Sequence, residues 1–287
     1  MSLADLIRAA ILASIMLIVL GLGLRSTWQD LTSLFRHPGL LLRSLLAMNV
    51  LMPVLAALLV MAIGPSPPVK IALVALAVAP VPPFLPGKQL KLVSSEAYVM
   101  ALLGAGSLLA VVLGPLTFAL IGAISSHRVG AAPLAVARVV AMTVLIPLLA
   151  GVGIRRLAPG LAARMSPLAG KVGMLLLIVA FVPVLITSWS AMISLIGDGT
   201  LLAIIVFVLI GLAIGHALGG PDPDNRSVLA LATASRHPGV AMAIATASFP
   251  EQKLVPAAIL LYLLVSAVAS APYTTWRRRL HARALAH

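Results

Sequence analysis

The chain has 287 residues, of which 61% are apolar and 9% are charged, and its mean hydropathy is +1.14. Because soluble domains carry about 25% charged residues, this composition excludes a soluble globular protein. The net charge is +13. With only 4% aromatic residues and no nucleic-acid-binding motif, nucleic acid is not the expected partner. The chain has no cysteine, which excludes disulfides, thiol nucleophiles and thiolate metal sites.

Successive apolar runs of about 20 residues predict an all-α integral membrane protein, because a helix of that length crosses the hydrocarbon core of a bilayer. The lipid bilayer is therefore an expected partner. We predict a single membrane domain over residues 1–287 with nine transmembrane helices, at 6–24, 40–63, 69–92, 95–122, 132–154, 167–190, 199–219, 224–249 and 254–276.

The placement of Lys and Arg predicts the orientation, because short cytoplasmic loops are enriched in these residues. With the N-terminus outside, the inner loops and the C-terminal tail collect most of them: Arg25, Arg36, Arg43, Lys91, Arg155, Arg156, Arg164, Arg226, Arg277, Arg278, Arg279 and Arg283. The outer side receives Lys70, Arg128 and Lys253, with Arg8 at most in addition. We therefore expect a cytoplasmic C-terminus and a location in the bacterial inner membrane.

Two predicted spans are interrupted near their centres. The span 69–92 contains APVPPFLPGKQLK and the span 224–249 contains SRHPG. The helix-breaking residues are Pro82, Pro83, Pro86 and Gly87 in the first, and Pro238 and Gly239 in the second. Proline has no N–H and its ring clashes with the preceding turn. Non-helical backbone at this depth must line a cavity or be buried in protein. Proline kinks in unrelated membrane bundles produce a similar pattern.

The interrupted spans occupy matching places in two halves of the chain. Repeat A covers about 6–122 and repeat B about 167–276, with a linking helix at 132–154, and the broken span is the third of four in each repeat. The first spans of the repeats are the first and the sixth of the chain, and this offset of five spans is odd, so the repeats are expected to have opposite membrane topology. Such an inverted repeat with paired interruptions points to the binding site of a secondary transporter.

Arg236 is the unusual residue of the second interruption. A central arginine costs at least ~2.5 kcal/mol on insertion scales, so it should face the protein interior and have a partner. All the acidic residues fall at span ends or in loops: Asp5, Asp30, Glu96, Asp198, Asp222, Asp224 and Glu251. The remaining partners are carbonyls at the end of a half-helix or an anionic ligand, so a structural and a ligand-handling role are both open.

Other polar residues lie close to the interruptions. Lys88 either reaches the interface or carries protons, and His237 either titrates or hydrogen-bonds backbone. Asn49, Gln89, Ser107, Thr233 and Ser235 are candidates for substrate contacts or for hydrogen bonds between helices. The sequence contains no HExxH, GxSxG or phosphate-binding glycine loop, so we expect neither an enzyme nor a cofactor.

Four stretches resemble the bile acid:sodium symporter family: LFRHPGLLLRSLLAMNVLMPVLAALL (34–59), VALAVAPVPPFLPG (74–87), EAYVMALLGAGSLLAVVLGPLTF (96–118) and LATASRHPGVAMAIATASF (231–249). The resemblance implies a panel domain and a core domain, with the two broken helices crossing inside the core. It also implies a transporter that moves a small organic anion by alternating access. Bacterial relatives commonly have ten helices, and this chain resembles the members with nine.

The chain departs from sodium-coupled members at the positions that the resemblance assigns to sodium ligands. Ala232 stands in place of an acid, and Arg236 and His237 in place of Gln-Asn. The segment Gly87-Lys88-Gln89-Leu90 replaces a run ending in Ser-Asn. Leu103 and Ser107 stand in place of Ser and Thr, and a Gln position falls near Met48 or Asn49.

These departures predict a degenerate sodium site with no bound metal. We expect sodium-independent transport in which Arg236 and Lys88 supply fixed positive charge. A sodium- or proton-coupled symporter or antiporter, a channel-like protein of the same crossing-helix fold, and a membrane receptor that does not transport remain alternatives.

Overall fold

The computed structural model describes residues 3–82, 98–106, 109, 113, 116, 138 and 140–284. Within these residues all regular structure is helical: α1 Leu3–Gly23, α2 Trp28–Thr32, α3 Pro38–Leu45, α4 Met52–Ile63, α5 Pro67–Val78, α6 Ile146–Leu157, α7 Pro159–Thr187, α8 Trp189–Ser194, α9 Thr200–Leu218, α10 Pro223–Ala234, α11 Pro238–Ser248, α12 Val255–Ala269 and α13 Ala271–Ala284. Residues 98–106 are also helical, Ser33–Arg36 is a 3₁₀ turn, and Leu46–Leu51 and Ala141–Leu145 are π-helical.

Five helical segments of the described chain are long and apolar enough to cross a membrane: Asp5–Gly23, Pro38–Ile63, Pro159–Thr187, Thr200–Leu218 and Val255–Arg283. They confirm a multi-pass, all-helical membrane protein. The helix Pro67–Val78 is apolar but shorter. The count of nine spans and the inverted repeat stay predictions, because residues 83–97 and most of 107–139 lie outside the described residues.

Proline residues set the starts of many helices. A proline at the first helical position has the required φ angle, and the N–H that it lacks has no partner there. Pro38 begins α3 directly after His37. Pro67, Pro159, Pro223 and Pro238 begin α5, α7, α10 and α11 in the same way.

Three predicted boundaries were wrong because polar helical turns extend beyond the apolar windows. The span predicted at 167–190 begins at Pro159, and only Ala158 separates it from α6. Arg164 therefore lies in a helix rather than in a loop, and Arg155 and Arg156 lie in the last turn of α6. The helical chain also continues to Ala284, beyond the predicted end of the last span at 276, so the C-terminal arginines lie in α13.

The helices form two packed groups. In the first, which we call the three-helix group, α1 packs along α7 and α6. Its buried side chains form small clusters of their own, one around Ile15, Val19 and Leu148 and one around Leu24 and Ala162. The second, the central group, buries most of the remaining apolar side chains between α4, α5, α9, α10, α11 and α12. Both broken spans belong to the central group.

A row of glycines on α9 brings it into backbone contact with α10. Gly211 faces Ala234, Gly215 faces Ala230 and Gly219 faces Arg226, so both rows repeat every four residues. A Cβ placed on Gly215 would lie 2.5 Å from the Cα of Ala230. Small residues at this spacing allow close helix packing in membranes. The row therefore fixes α10, the half-helix that leads to the second interruption.

Candidate functional site

The second interruption separates α10 from α11 by three residues. Ser235 and His237 have extended backbones, with ψ angles of 120° and 102°. The N–H of Ser235 closes α10 by donating to the carbonyl of Leu231 at 2.9 Å. The Nδ1 atom of His237 caps α11 by accepting from the N–H of Val240 at 3.3 Å. The predicted interruption is present as two half-helices that meet at a short extended turn. Its non-helical residues are 235–237, whereas Pro238 and Gly239, the predicted break residues, form the first turn of α11.

The first interruption begins at the end of α5. Ala79 is extended, with a ψ angle of 146°, and Pro80, Val81 and Pro82 are not helical. A residue before proline is disfavoured in the helical region, which explains why α5 stops at Val78. The predicted break residues Pro83, Pro86 and Gly87 lie outside the described residues.

The two interruptions are joined by a backbone hydrogen bond. The N–H of His237 donates to the carbonyl of Pro80 at 2.9 Å. Around this bond, α11 packs against α5, and both pack against α12. The two broken spans therefore meet at their non-helical segments, deep in the central group.

The guanidinium group of Arg236 lies at this meeting point. The residue is 2% exposed. Its Nη2 atom donates to the carbonyl of Ala77 at 2.7 Å and also to the carbonyl of Met48. Among the described residues, no carboxylate pairs with it, and its Nε atom is buried without a partner. The cation is therefore held by backbone dipoles rather than by an opposite charge.

The chain leaves both of these carbonyls without helical partners. Ala77 belongs to the last turn of α5, where carbonyls have no amide four residues later to accept from. Met48 lies in the π-helical turn Leu46–Leu51. In a π-helix its partner would be the amide five residues later, which is the position of Pro53, and proline has no N–H. Arg236 satisfies an acceptor from each of two helices.

Tyr262, on α12, closes the interruption from the other side. Its hydroxyl accepts from the N–H of Arg236 at 3.0 Å and donates to the carbonyl of Ala234 at 2.6 Å. The ring is 1% exposed and packs edge-on against Phe207. The sequence reading did not single out Tyr262, although a tyrosine within an aliphatic span needs a hydrogen-bond partner when it is buried.

The other predicted site residues lie in different surroundings. Thr233 is fully buried, and its hydroxyl donates to the carbonyl of Leu229 in its own helix at 2.7 Å. Ser235 is half-buried within the interruption, and Asn49 is half-buried in the π-helical turn beside Met48. Lys88, Gln89 and Ser107 lie outside the described residues.

The three-helix group touches the second interruption through α1. A Cβ placed on Gly239 would lie 3.0 Å from the Cδ1 atom of Ile15 and 3.3 Å from the imidazole of His237. Ile15 is 5% exposed, so α1 covers the first turn of α11. As an apolar residue in an apolar helix, Ile15 gave no signal in the sequence.

A family model described as the Sodium Bile acid symporter family matches residues 12–195. The chain belongs to the sodium bile acid symporter family. Members of this family are transporters, in agreement with the predicted fold and with the non-enzymatic reading of the sequence. The family match begins within α1, extends to the end of α8 and stops before the second interruption. No curated protein sequence matches the chain significantly.

The family resemblance places sodium ligands at two positions of this chain that are buried and carry apolar side chains. Ala232 is 0% exposed and Leu103 is 2% exposed. Neither side chain carries an oxygen atom, and sodium, a hard cation, needs oxygen ligands. No cluster of three or more His, Asp or Glu side chains that could hold a metal occurs in the described part of the chain.

Proposed function

We propose that the protein is a secondary transporter that moves a small organic anion by alternating access and does so without sodium. The observation that carries this proposal is the guanidinium of Arg236, which donates to Met48 and Ala77 where the two broken spans meet. Carbonyl oxygens are also ligands that a bound cation uses. A side chain that occupies them supplies the positive charge permanently, so the carrier has no need to recruit an ion.

The guanidinium of Arg236 would attract an anion electrostatically without direct contact, because it is buried. With 2% of the residue exposed, the guanidinium does not face a solute directly in this conformation. The first turn of α11 follows immediately, and its amides present the positive end of the helix dipole. We propose that the anion binds beside this turn, at half-buried Ser235 and Gly239. Lys88, Gln89, Asn49, Ser107 and Thr233 stay proposed contributors.

Access to this place requires α1 to move, because Ile15 covers Gly239. The separate clusters of buried side chains in the two groups allow this movement, since neither cluster must be taken apart. We propose that the three-helix group serves as the panel and the central group as the core. The anion would then be exposed to one side of the membrane at a time as the two groups shift relative to each other.

The arrangement of basic side chains supports an orientation with a cytoplasmic C-terminus. Arg226 donates to the carbonyl of Gly220 at 2.7 Å, and Arg277 donates to the carbonyl of Pro223 at 2.7 Å. Arg43 also lies beside Gly220. These three arginines, predicted to lie on the cytoplasmic side of the membrane, are found together at one end of the central group. By the positive-inside rule we propose that this end faces the cytoplasm, in the inner membrane of a bacterium.

The test is uptake into proteoliposomes of anions selected by thermal shift from cholate and a set of short-chain carboxylates. Replacing sodium by potassium should leave uptake unchanged. Arg236→Gln should lower anion affinity by about tenfold or more, equivalent to about 1.4 kcal/mol. Arg226→Gln removes the same charge at the other end of α10 and should keep the affinity. Uptake that collapses in potassium would refute sodium independence, and normal affinity in the Arg236 variant would remove that residue from anion binding.

A proton-coupled carrier is the second candidate, favoured by one observation. The Nε2 atom of His237 is buried and has no partner among the described residues. Because Nδ1 accepts from the N–H of Val240, a neutral ring carries its proton on Nε2. A second proton would have to displace the bond at Nδ1, next to the charge of Arg236. Proton coupling through His237 would therefore require the imidazole to release the N–H of Val240 in each cycle. Uptake driven by a pH gradient and lost in His237→Asn would support this candidate, and uptake unaffected by that substitution would exclude His237 as the proton carrier.

A further inference from the structure

A groove on the three-helix group combines a cationic end with an apolar floor. Its first part has a volume of about 340 Å³ and lies where α1, α6 and α7 converge, with Arg25 and Arg155 in its wall. Its second part, of about 430 Å³, continues from Arg25 along α7 past Gly170 to Met174 and Ile178. Arg25 and Pro167 border both parts, so the groove is continuous. It lies outside the proposed transport site.

The cationic end is held in place but not neutralised. The Nε atom of Arg25 donates to the hydroxyl of Ser166 at 2.8 Å, and that hydroxyl donates to the carbonyl of Gly21 at 3.1 Å. Ser166 is 3% exposed, so this anchor is a buried one. Within the described residues no carboxylate pairs with Arg25, Arg155 or Lys171, which borders the second part. Three cations therefore face one groove without a counter-charge.

Glycines create the apolar part of the groove. A Cβ placed on Gly21 would lie 3.1 Å from the backbone nitrogen of Gly170, and one on Gly173 would lie 3.0 Å from Ser14 and Ile18 of α1. The two backbones are therefore in close contact at the groove floor. A Cβ on Gly170, in contrast, would meet nothing within 4 Å. The missing side chain leaves an open channel above the point where the helices touch.

The position of the groove selects its ligand. The cationic end lies at the last turn of α1 and the first turns of α7, where spanning helices reach the membrane interface. The apolar end runs along the exposed face of α7, where Leu175 is 63% and Ile178 is 52% exposed, the face that such a helix turns toward lipid tails. Basic pockets between helices on the cytoplasmic side of membrane proteins bind anionic headgroups.

We propose that this groove binds an anionic phospholipid. The phosphate lies between Arg25 and Arg155, with Lys171 reaching it along its aliphatic stem. One acyl chain lies over Gly170 toward Ile178. A soluble phosphate would use only the cationic end, and a zwitterionic lipid would add a further positive charge to the three already there. The ligand that uses both ends is an anionic headgroup attached to a fatty chain.

The experiment uses the full chain, purified in detergent and depleted of lipid. Dioleoyl phosphatidylglycerol, dioleoyl phosphatidylcholine and glycerol 3-phosphate are added separately, and the midpoint of thermal unfolding and the lipid retained in native mass spectrometry are measured. We expect the anionic lipid to raise the midpoint by several degrees more than the zwitterionic lipid, and glycerol 3-phosphate to have little effect. Equal shifts from the two lipids, or a full shift from glycerol 3-phosphate, would overturn the proposal.

Paired variants locate the site. The double variant Arg25→Gln with Arg155→Gln should lose at least half of the additional shift. Arg278→Gln with Arg279→Gln removes the same charge from exposed positions on α13 and should keep it. Gly170→Leu fills the apolar channel without changing any charge and should also reduce the shift. If the arginine variant does not fold, Gly170→Leu decides, because an undiminished shift in that variant overturns the assignment of the groove.

Discussion

The hydroxyl of Tyr262 lies 3.0 Å from the peptide nitrogen of Arg236 and accepts its hydrogen bond. The same hydroxyl donates to the carbonyl of Ala234 at 2.6 Å, so one side chain spans the non-helical turn. Water cannot hydrogen-bond to these two backbone groups inside the bundle, so leaving them unpaired would lower the free energy of unfolding.

Tyr262→Phe should therefore lower the free energy of unfolding by about 1–3 kcal/mol. Chemical unfolding in mixed micelles would measure the change. Tyr273→Phe is the matched control. It removes a hydroxyl that contacts His216 at 2.9 Å near the bundle end, where water can replace it, and should cost less. Equal losses in the two variants would mean that the hydroxyl of Tyr262 does not stabilise the turn.

His237 caps α11, and two substitutions separate this role from proton transfer. Asparagine is among the preferred N-cap residues, so His237→Asn should keep the stability of the protein. His237→Ala should lose about 1 kcal/mol, because the N–H of Val240 is left without its side-chain acceptor. The pH profile of uptake should be the same in wild type and His237→Asn. A profile that shifts in the asparagine variant would show that the imidazole titrates during transport.

Ile15 and Gly239 form the contact between α1 and the second interruption, and their coupling can be measured. Gly239→Val should be destabilising, because even its Cβ would lie 3.0 Å from the Cδ1 atom of Ile15. Shortening the partner with Ile15→Ala should relieve the clash. A double-mutant cycle on the unfolding midpoint should give a coupling of about 0.5–3 kcal/mol. Additive effects of the two changes would show that the helices do not touch there.

Gly215 tests the close approach of α9 and α10. Gly215→Ala should be destabilising by more than about 1 kcal/mol, because the added Cβ falls 2.5 Å from the backbone of Ala230 and the half-helix must move away. Gly153→Ala is the control inside α6. Its added Cβ meets nothing within 4 Å, and it should be neutral or stabilising by up to about 1 kcal/mol. The midpoint of thermal unfolding should fall in Gly215→Ala and should stay the same or rise in Gly153→Ala.

Local rules predicted the interruptions well. Proline chemistry predicted that both spans are interrupted, and the non-helical backbone at 79–82 and 235–237 agrees with this. The exact bounds were not predicted, since α5 ends at Val78, ahead of Pro82, the first predicted break residue. The demand that a central arginine face the interior also predicted the burial of Arg236. The first prediction depends only on residues that are adjacent in the chain. The second depends on the free-energy cost of placing a charge in lipid. Both can be evaluated from the sequence alone.

The partners of Arg236 could not be predicted, because they are backbone atoms from distant parts of the chain. The carbonyl of Met48 is available because Pro53, five residues later, has no N–H to donate to it within the π-helical turn. No motif in the sequence predicted that this turn would be π-helical. Tyr262 did carry a signal, a polar group in an aliphatic span. Whether Lys88 belongs to the site stays a prediction, since it lies outside the described residues.

The non-helical turn between α10 and α11 has no free amide. Ser235 donates to Leu231, Arg236 to Tyr262 and His237 to Pro80, and Pro238 has no N–H to donate. Hydrogen–deuterium exchange should therefore show three slow amides where a broken helix would suggest fast ones. Slow exchange would mean that residues 235–237 stay rigid. Movement during transport would then come from whole helices that shift relative to this turn.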